Sequence, residues 1–305
     1  VVITKMEWKG AEAYQLENEL VRAVVLPGMG AKIASFYHKE LEFELVAQPN
    51  RAYHAAHLGA DFSEFDASGF DDAFPNLVTG TYDVGGKAVA YPDHGEIWSA
   101  KFACTAEGDA LHLSYDSQCL PYHYEKTVSL NGNQLCLSYR VVHTGQAAFP
   151  CSWTFHGLVR YEEDMKLAYP KGADFIRDVP SGTALGEVDT KNPRASFPNS
   201  WEKVLPREPK AACMVYVDDK VAEGQCGYVY PSQNVRATLS YDETALPYLA
   251  LWITAGGYRG EYNCAFEPND AFYEDFDVAR ARGASVMMNP GEEKAFSLRV
   301  AVDKA

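Results

Sequence analysis

Two imidazoles and one carboxylate stand out among the 305 residues. Pro92-Asp93-His94-Gly95-Glu96-Ile97-Trp98 places a histidine in a turn ahead of an aromatic residue. Trp153-Thr154-Phe155-His156-Gly157-Leu158 places another near the end of an apolar run, and Phe266-Glu267-Pro268-Asn269-Asp270 places a carboxylate beside an apolar side chain. Singly these are ordinary features, because His-Gly and Glu-Pro are common turn elements. Together they form the smallest set that moves protons at both ends of a small molecule near neutral pH.

Other chemistries have weaker support. Gly28-Met29-Gly30 follows an apolar run but has Ile33 where a dinucleotide fingerprint needs its third glycine, and Pro27 breaks the strand-to-helix turn. It reads as a plain turn. No Gly-x-Ser-x-Gly elbow and no Walker loop occurs. His54 and His57, near Asp61, have ligand-like chemistry and the spacing of one face of a helical turn. They lack a third ligand at a diagnostic spacing, so two hydrogen-bonded loop histidines are the favoured reading. No cofactor and no metal is expected.

The elements that must position these groups read as strands. Helical periodicity is scarce, while short runs of period-two alternation bounded by Gly, Pro, Asn and Asp recur throughout. The clearest unit spans residues 125–143, where two β-rich runs meet across Asn131-Gly132-Asn133-Gln134, a strong hairpin signal. Further strands are expected at 13–16, 21–26, 32–37, 111–115, 148–159, 212–217, 237–241, 248–253 and 295–302. About a dozen strands in one uninterrupted chain point to an all-β fold, a large antiparallel β-sandwich, with residues 1–305 as one domain. Two stretches break the rhythm, residues 48–83 and 169–209. Loops that long in a compact domain usually cover a site. Both keep aromatic residues fit for burial, among them Tyr53, Phe62, Phe65, Phe70 and Phe74 in the first and Phe175, Phe197 and Trp201 in the second.

Composition narrows the partners. With 27 Lys and Arg against 42 Asp and Glu the net charge is −15, which disfavours nucleic acid and leaves a neutral or cationic small ligand. No apolar stretch of about 18 residues occurs, and the start lacks the pattern of a secretory signal, so neither membrane nor export is expected. The seven cysteines are scattered and odd in number, without a Cys-x-x-Cys pair, and read as reduced thiols of a cytoplasmic protein.

At the acid–base residues the sequence resembles the aldose 1-epimerase (galactose mutarotase-like) family. The likeness runs over nearly the whole chain. It begins at Leu26-Pro27-Gly28-Met29-Gly30-Ala31-Lys32-Ile33 and continues through Gly69-Phe70-Asp71-Asp72-Ala73-Phe74-Pro75, similar to an acidic Phe-Pro segment in one branch. The His-Gly at 94–95, the run ending at His156, and Leu251-Trp252 through Gly256-Gly257 to Glu267-Pro268 follow in the family's order. The resemblance implies a large antiparallel sandwich and a cofactor-independent isomerase. Glu267 would be the general base on the anomeric hydroxyl, His156 the general acid on the ring oxygen, and His94 a hydrogen-bonding support for that oxygen. Opening a cyclic hemiacetal removes a proton from O1 and supplies one to O5; rotation about C1–C2 and reversal give the other anomer.

A sugar also needs aromatic platforms and groups that grip hydroxyls. Trp98 and Trp252 are candidates for the first, Asp71 and Asp72 for the second. The better-known branch's substrate-binding arginine and later aspartate have no placed counterpart, since Asn50-Arg51 lies too far before His94. The expected activity is interconversion of the α and β anomers of an aldose by a monomer or homodimer. A hexose-6-phosphate epimerase, a mutarotase of a modified sugar and a non-catalytic carbohydrate-binding protein are the alternatives. The acidic balance weighs against the phosphorylated substrate.

Overall fold

In a computed structural model, the structure describes residues 1–171, 173, 176–178, 203–205, 207–208, 210–217, 219–272, 276–281 and 283–305. Among these residues two large antiparallel sheets carry the fold. The twelve-stranded sheet runs Val2–Trp8, Ala11–Glu17, Val21–Leu26, Lys32–His38, Phe70–Ala73, Thr154–Gly157, Tyr262–Asn269, Tyr248–Ala255, Ala211–Val217 and Ile176–Asp178. Phe43–Glu44 and Val159–Arg160 pair off this path. The eight-stranded sheet runs Lys166–Ala168, Gln225–Tyr230, Val235–Tyr241, Glu293–Lys304, Gln134–His143, Tyr122–Asn131, Ala110–Asp116 and Ala103–Glu107. Among the described residues helix is confined to the six residues Phe276–Ala281 and a few 3₁₀ turns.

Alternation explains how the sheets face each other. In Tyr122–Asn131 every second side chain, Tyr122, Tyr124, Lys126, Val128 and Leu130, is buried, and the residues between them are half-exposed. The buried set meets Phe74, Phe149, Trp153 and Phe155 from the opposite side in one continuous apolar cluster. The hairpin at Asn131-Gly132-Asn133-Gln134 forms as expected, with Asn131 opposite Gln134. Gly28-Met29-Gly30 lies in the turn between Val21–Leu26 and Lys32–His38.

Two expectations are corrected. The run 148–159 is not one strand but Phe149–Pro150, Thr154–Gly157 and Val159–Arg160. Between the first two, the N–H groups of Cys151, Ser152 and Trp153 donate to the Val286 carbonyl, the Pro75 carbonyl and the Asp270 carboxylate, so no ladder continues there. Residues 48–83 are not all loop, because Phe70–Ala73 is an interior strand with four buried side chains and therefore shows no alternation. Gly80–Val84 then pairs with Lys87–Tyr91 as a hairpin. In the other long stretch, most residues, with Phe175, Phe197 and Trp201, lie outside the described residues.

Residues 47–69 do cover a face. Ala47 and Ala67 pack on Leu158 and Ala265, Tyr53 packs on Val24, Leu26 and Ala34, and Phe62 packs on Trp98. These contacts roof the side of the twelve-stranded sheet that points away from the sandwich core.

Candidate active site

The register of four neighbouring strands aligns four ionisable residues. Ile33 pairs with Phe70, which puts Lys32 beside Asp71; His156 pairs with Asp71; and Thr154 pairs with Asn269, which puts His156 beside Glu267. Side chains at cross-strand positions share a face. The result is a row, Lys32, Asp71, His156, Glu267, on the roofed face of the sheet. All four are buried.

One end of the row opens into a cavity of about 200 Å³. His156 Nε2 lies 3.9 Å from Glu267 Oε1 on its wall. Trp252, opposite Met214 and Ala265 in its strand's two ladders, continues the same face, and Leu158, Ala67, Leu77, Val78, Tyr258 and Phe62 complete the apolar lining. Burial pushes the His156 imidazole down to about 3, aided by the charges of His94 and Lys32, so it is neutral at pH 7.

His94 enters the cavity from the other side, on a turn that the sequence specifies closely. Its φ is +55° and that of Gly95 is +72°. A Cβ on Gly95 would stand 2.3 Å from the Phe74 carbonyl oxygen, so only glycine permits this approach. The His94 and Glu96 amides donate to the Leu77 and Phe74 carbonyls at 2.7 and 2.8 Å. The Glu96 carboxylate, 1% exposed, accepts from the Tyr115, Ser117 and Tyr122 hydroxyls and the Gln118 amide at 2.6 to 2.9 Å. The imidazole of His94 stacks on Phe62, ring centroids 4.0 Å apart, and stands edge-on to His156 at 5.5 Å.

The three proton-moving residues expected from sequence thus surround one cavity, and Trp252 lines it. The other proposed contacts do not reach it. Asp72 faces the sandwich core, where its carboxylate accepts from Lys126 Nζ at 2.7 Å and the Tyr139 hydroxyl at 2.9 Å; with both Asp72 and Lys126 fully enclosed, it cannot grip a sugar. Asp71 shares the cavity's face but sits one strand behind His156, 3.4 Å from Lys32 Nζ. Burial pushes its carboxyl up to about 7; Lys32 opposes that rise, and Asp66 adds to it. Trp98 lies behind Phe62, centroids 5.0 Å apart, and donates from Nε1 to the Asp93 carbonyl at 2.8 Å. It supports the cavity wall and does not face the ligand space.

His54 and His57 are exposed on an irregular segment and not on a helical turn. Among the described residues no group of three His, Cys, Asp or Glu is placed to hold a metal. Arg51 is exposed and donates to the Glu64 carbonyl. The seven cysteines form no disulfide, and four of them are buried.

Sequence reasoning missed several residues. Met214 and Tyr258 come to the cavity from segments far apart in the chain, and no local pattern marks them; Phe62 is marked in sequence only as one buried aromatic of the covering stretch. Glu96 had a legible signal in its place directly after His-Gly. Its four donors come from residues 115–122.

Comparison with known proteins agrees with this architecture. Residues 177–302 match a family model described as a domain of unknown function (DUF4432). No curated protein matches the sequence. Among solved structures, a galactose mutarotase-like protein from Clostridium acetobutylicum superposes with a TM-score of 0.72 at 13% identity, over 100% of this chain and 99% of that one. One from Lactobacillus casei ATCC 334 gives 0.68 at 18% identity, over 95% and 100%. A GalM/aldose epimerase homologue from C. elegans gives 0.64 at 15%, over 95% and 98%. At this level of identity the likeness is one of architecture, and the chain has the galactose mutarotase-like fold.

Proposed function

We propose that the protein is a cofactor-independent mutarotase that interconverts the α and β anomers of an aldose. The observation that carries this reading is the meeting of Glu267 with two imidazoles around one small cavity, with His156 Nε2 3.9 Å from Glu267 Oε1 and the His94 ring 5.5 Å from that of His156. O1 and O5 hang on the same anomeric carbon, so groups that serve both must be near neighbours. In the proposed cycle Glu267 takes the O1 proton as the C1–O5 bond breaks, and an imidazole supplies a proton to O5. The open aldehyde turns about C1–C2, and the reverse transfers close the ring on its other face.

The lining fits a neutral sugar. Trp252, Tyr258 and Phe62 offer apolar faces to the C–H side of a pyranose. Among the described lining residues there is no Lys or Arg, which weighs against a phosphorylated substrate.

The test is saturation-transfer NMR of anomer exchange over a panel of neutral aldoses. Wild type should accelerate exchange of at least one sugar, and Glu267→Gln should lose about 10²- to 10⁴-fold of that acceleration with an unchanged melting curve. An unchanged rate in Glu267→Gln would sink the reading.

A further inference from the structure

The two imidazoles of the cavity have opposite surroundings. Acid and base assignments follow such differences. His156 Nδ1 is buried without a hydrogen-bond partner, and Lys32 stands two strands behind it in the row. By contrast, His94 Nδ1 lies 2.9 Å from Asp93 Oδ1. The other Asp93 oxygen accepts from the Phe62 amide at 3.0 Å, and Phe62 in turn stacks flat on the His94 ring at 15°. One carboxylate therefore fixes both the imidazole and the ring that clamps it.

We propose that Asp93 is a positioning residue that holds His94 with its proton on Nδ1 and its Nε2 toward the cavity, so that His94 carries a proton to and from the sugar ring oxygen. This rests on the mutarotase reading and gives His94 more than the supporting part that the family resemblance implies.

The argument for the tautomer is chemical. Burial alone raises Asp93, but the hydrogen bond and charge of His94, with the Phe62 and His94 amides, hold its carboxyl below the ordinary range. An ionised carboxylate only accepts, so the shared proton belongs to Nδ1. Nε2 is then left as the ring nitrogen that exchanges protons. In the opening step imidazolium His94 gives its Nε2 proton to O5 as the C1–O5 electron pair moves to O5, and Glu267 takes the O1 proton as C1=O1 forms. Ring closure returns both protons, so the cycle balances. The titratable groups around the cavity with His94 are Asp93 from its own turn, His156 and Glu267 from the sheet, and the Tyr258 phenol; Phe62, Leu77 and Val78 contribute no charge.

Asp93→Asn keeps an oxygen for one hydrogen bond and removes the charge. The experiment combines ¹⁵N histidine NMR with anomer-exchange kinetics across pH, on wild type and this variant. The expected result is a loss of the Nδ1–H tautomer of His94 and a fall in kcat of about 10- to 100-fold. KM should stay within about threefold, and the alkaline limb of the pH profile, where the proton donor is lost, should move. A purely structural Asp93 would lower kcat and stability together while His94 kept its tautomer and the profile its shape; that result overturns the proposal. Absence of exchange in wild type would overturn the mutarotase reading and the catalytic half of this one, with the tautomer measurement still deciding the Asp93–His94 pairing.

Discussion

Asp71 and Asp72 are neighbours in sequence and occupy different chemical worlds. Asp72 points into the sandwich and closes a buried ion pair with Lys126, whose position in the Tyr122–Asn131 strand belongs to the apolar face. Asp71 points to the roofed face and joins the row that ends at His156 and Glu267. Both are pushed toward protonation by burial, yet Asp72 has a direct ammonium and phenol hydrogen bond, whereas Asp71 has only a more distant Lys32. A short strand divides two neighbouring carboxyl groups between the sandwich core and the roofed face. The same alternation separates Phe155, a core side chain, from His156 beside it.

If that division holds, changes on the core face should unfold the protein and changes on the roofed face should alter its titration. The largest effect is expected for Lys126→Met, which strands the Asp72 charge in the core and should cost about 3–5 kcal/mol in a urea melt. Adding Asp72→Leu should recover most of that loss, because the stranded charge goes with it. A cost below about 1 kcal/mol for Lys126→Met would erase the distinction.

Asp71→Asn should act through pH. A carboxyl raised to about 7 in the folded chain binds more protons there than when unfolded, so its contribution is present at low pH and lost as pH rises from about 4 through 7. Between pH 4 and 7, about the range of that loss, wild type should lose stability more steeply than Asp71→Asn in parallel melts. Equal slopes would place Asp71 with Asp72 as an ordinary structural carboxylate. The smallest effect is expected for Trp98→Phe, which removes the hydrogen bond to the Asp93 carbonyl and should cost about 1 kcal/mol. Its exchange rate should fall less than about tenfold, as suits a side chain one layer behind the ligand.

Much of the sandwich is legible in the chain because long strands with one apolar face alternate visibly, as from Tyr122 to Leu130. The His-Gly and Glu-Pro residues that meet at the cavity are legible because turns and strand ends restrict residue type. The facing of Asp71 and Asp72 is not, since Phe70–Ala73 is buried on both sides and leaves no period to read. Nor can a buried Lys126 be told from a surface lysine until Asp72 is known to lie across from it. Trp98 and Trp252 look equivalent in sequence; only the roof formed by residues 47–69 decides that the first is backing and the second lining. Phe62 belongs to that roof and depends on the Asp93 carboxylate, a contact across 31 positions.

Glu96 gives the cavity an unusual mechanical property. Its backbone is stitched to Phe74, which directly follows a strand of the twelve-stranded sheet, and its carboxylate gathers donors from the opposite sheet and its connection. It acts as a rivet through both layers, with His94 mounted two residues before it. Any slip of one sheet over the other would be transmitted to the gap between His94 and the His156–Glu267 wall, which makes the spacing of these three side chains a gauge of how well the two halves of the sandwich are registered.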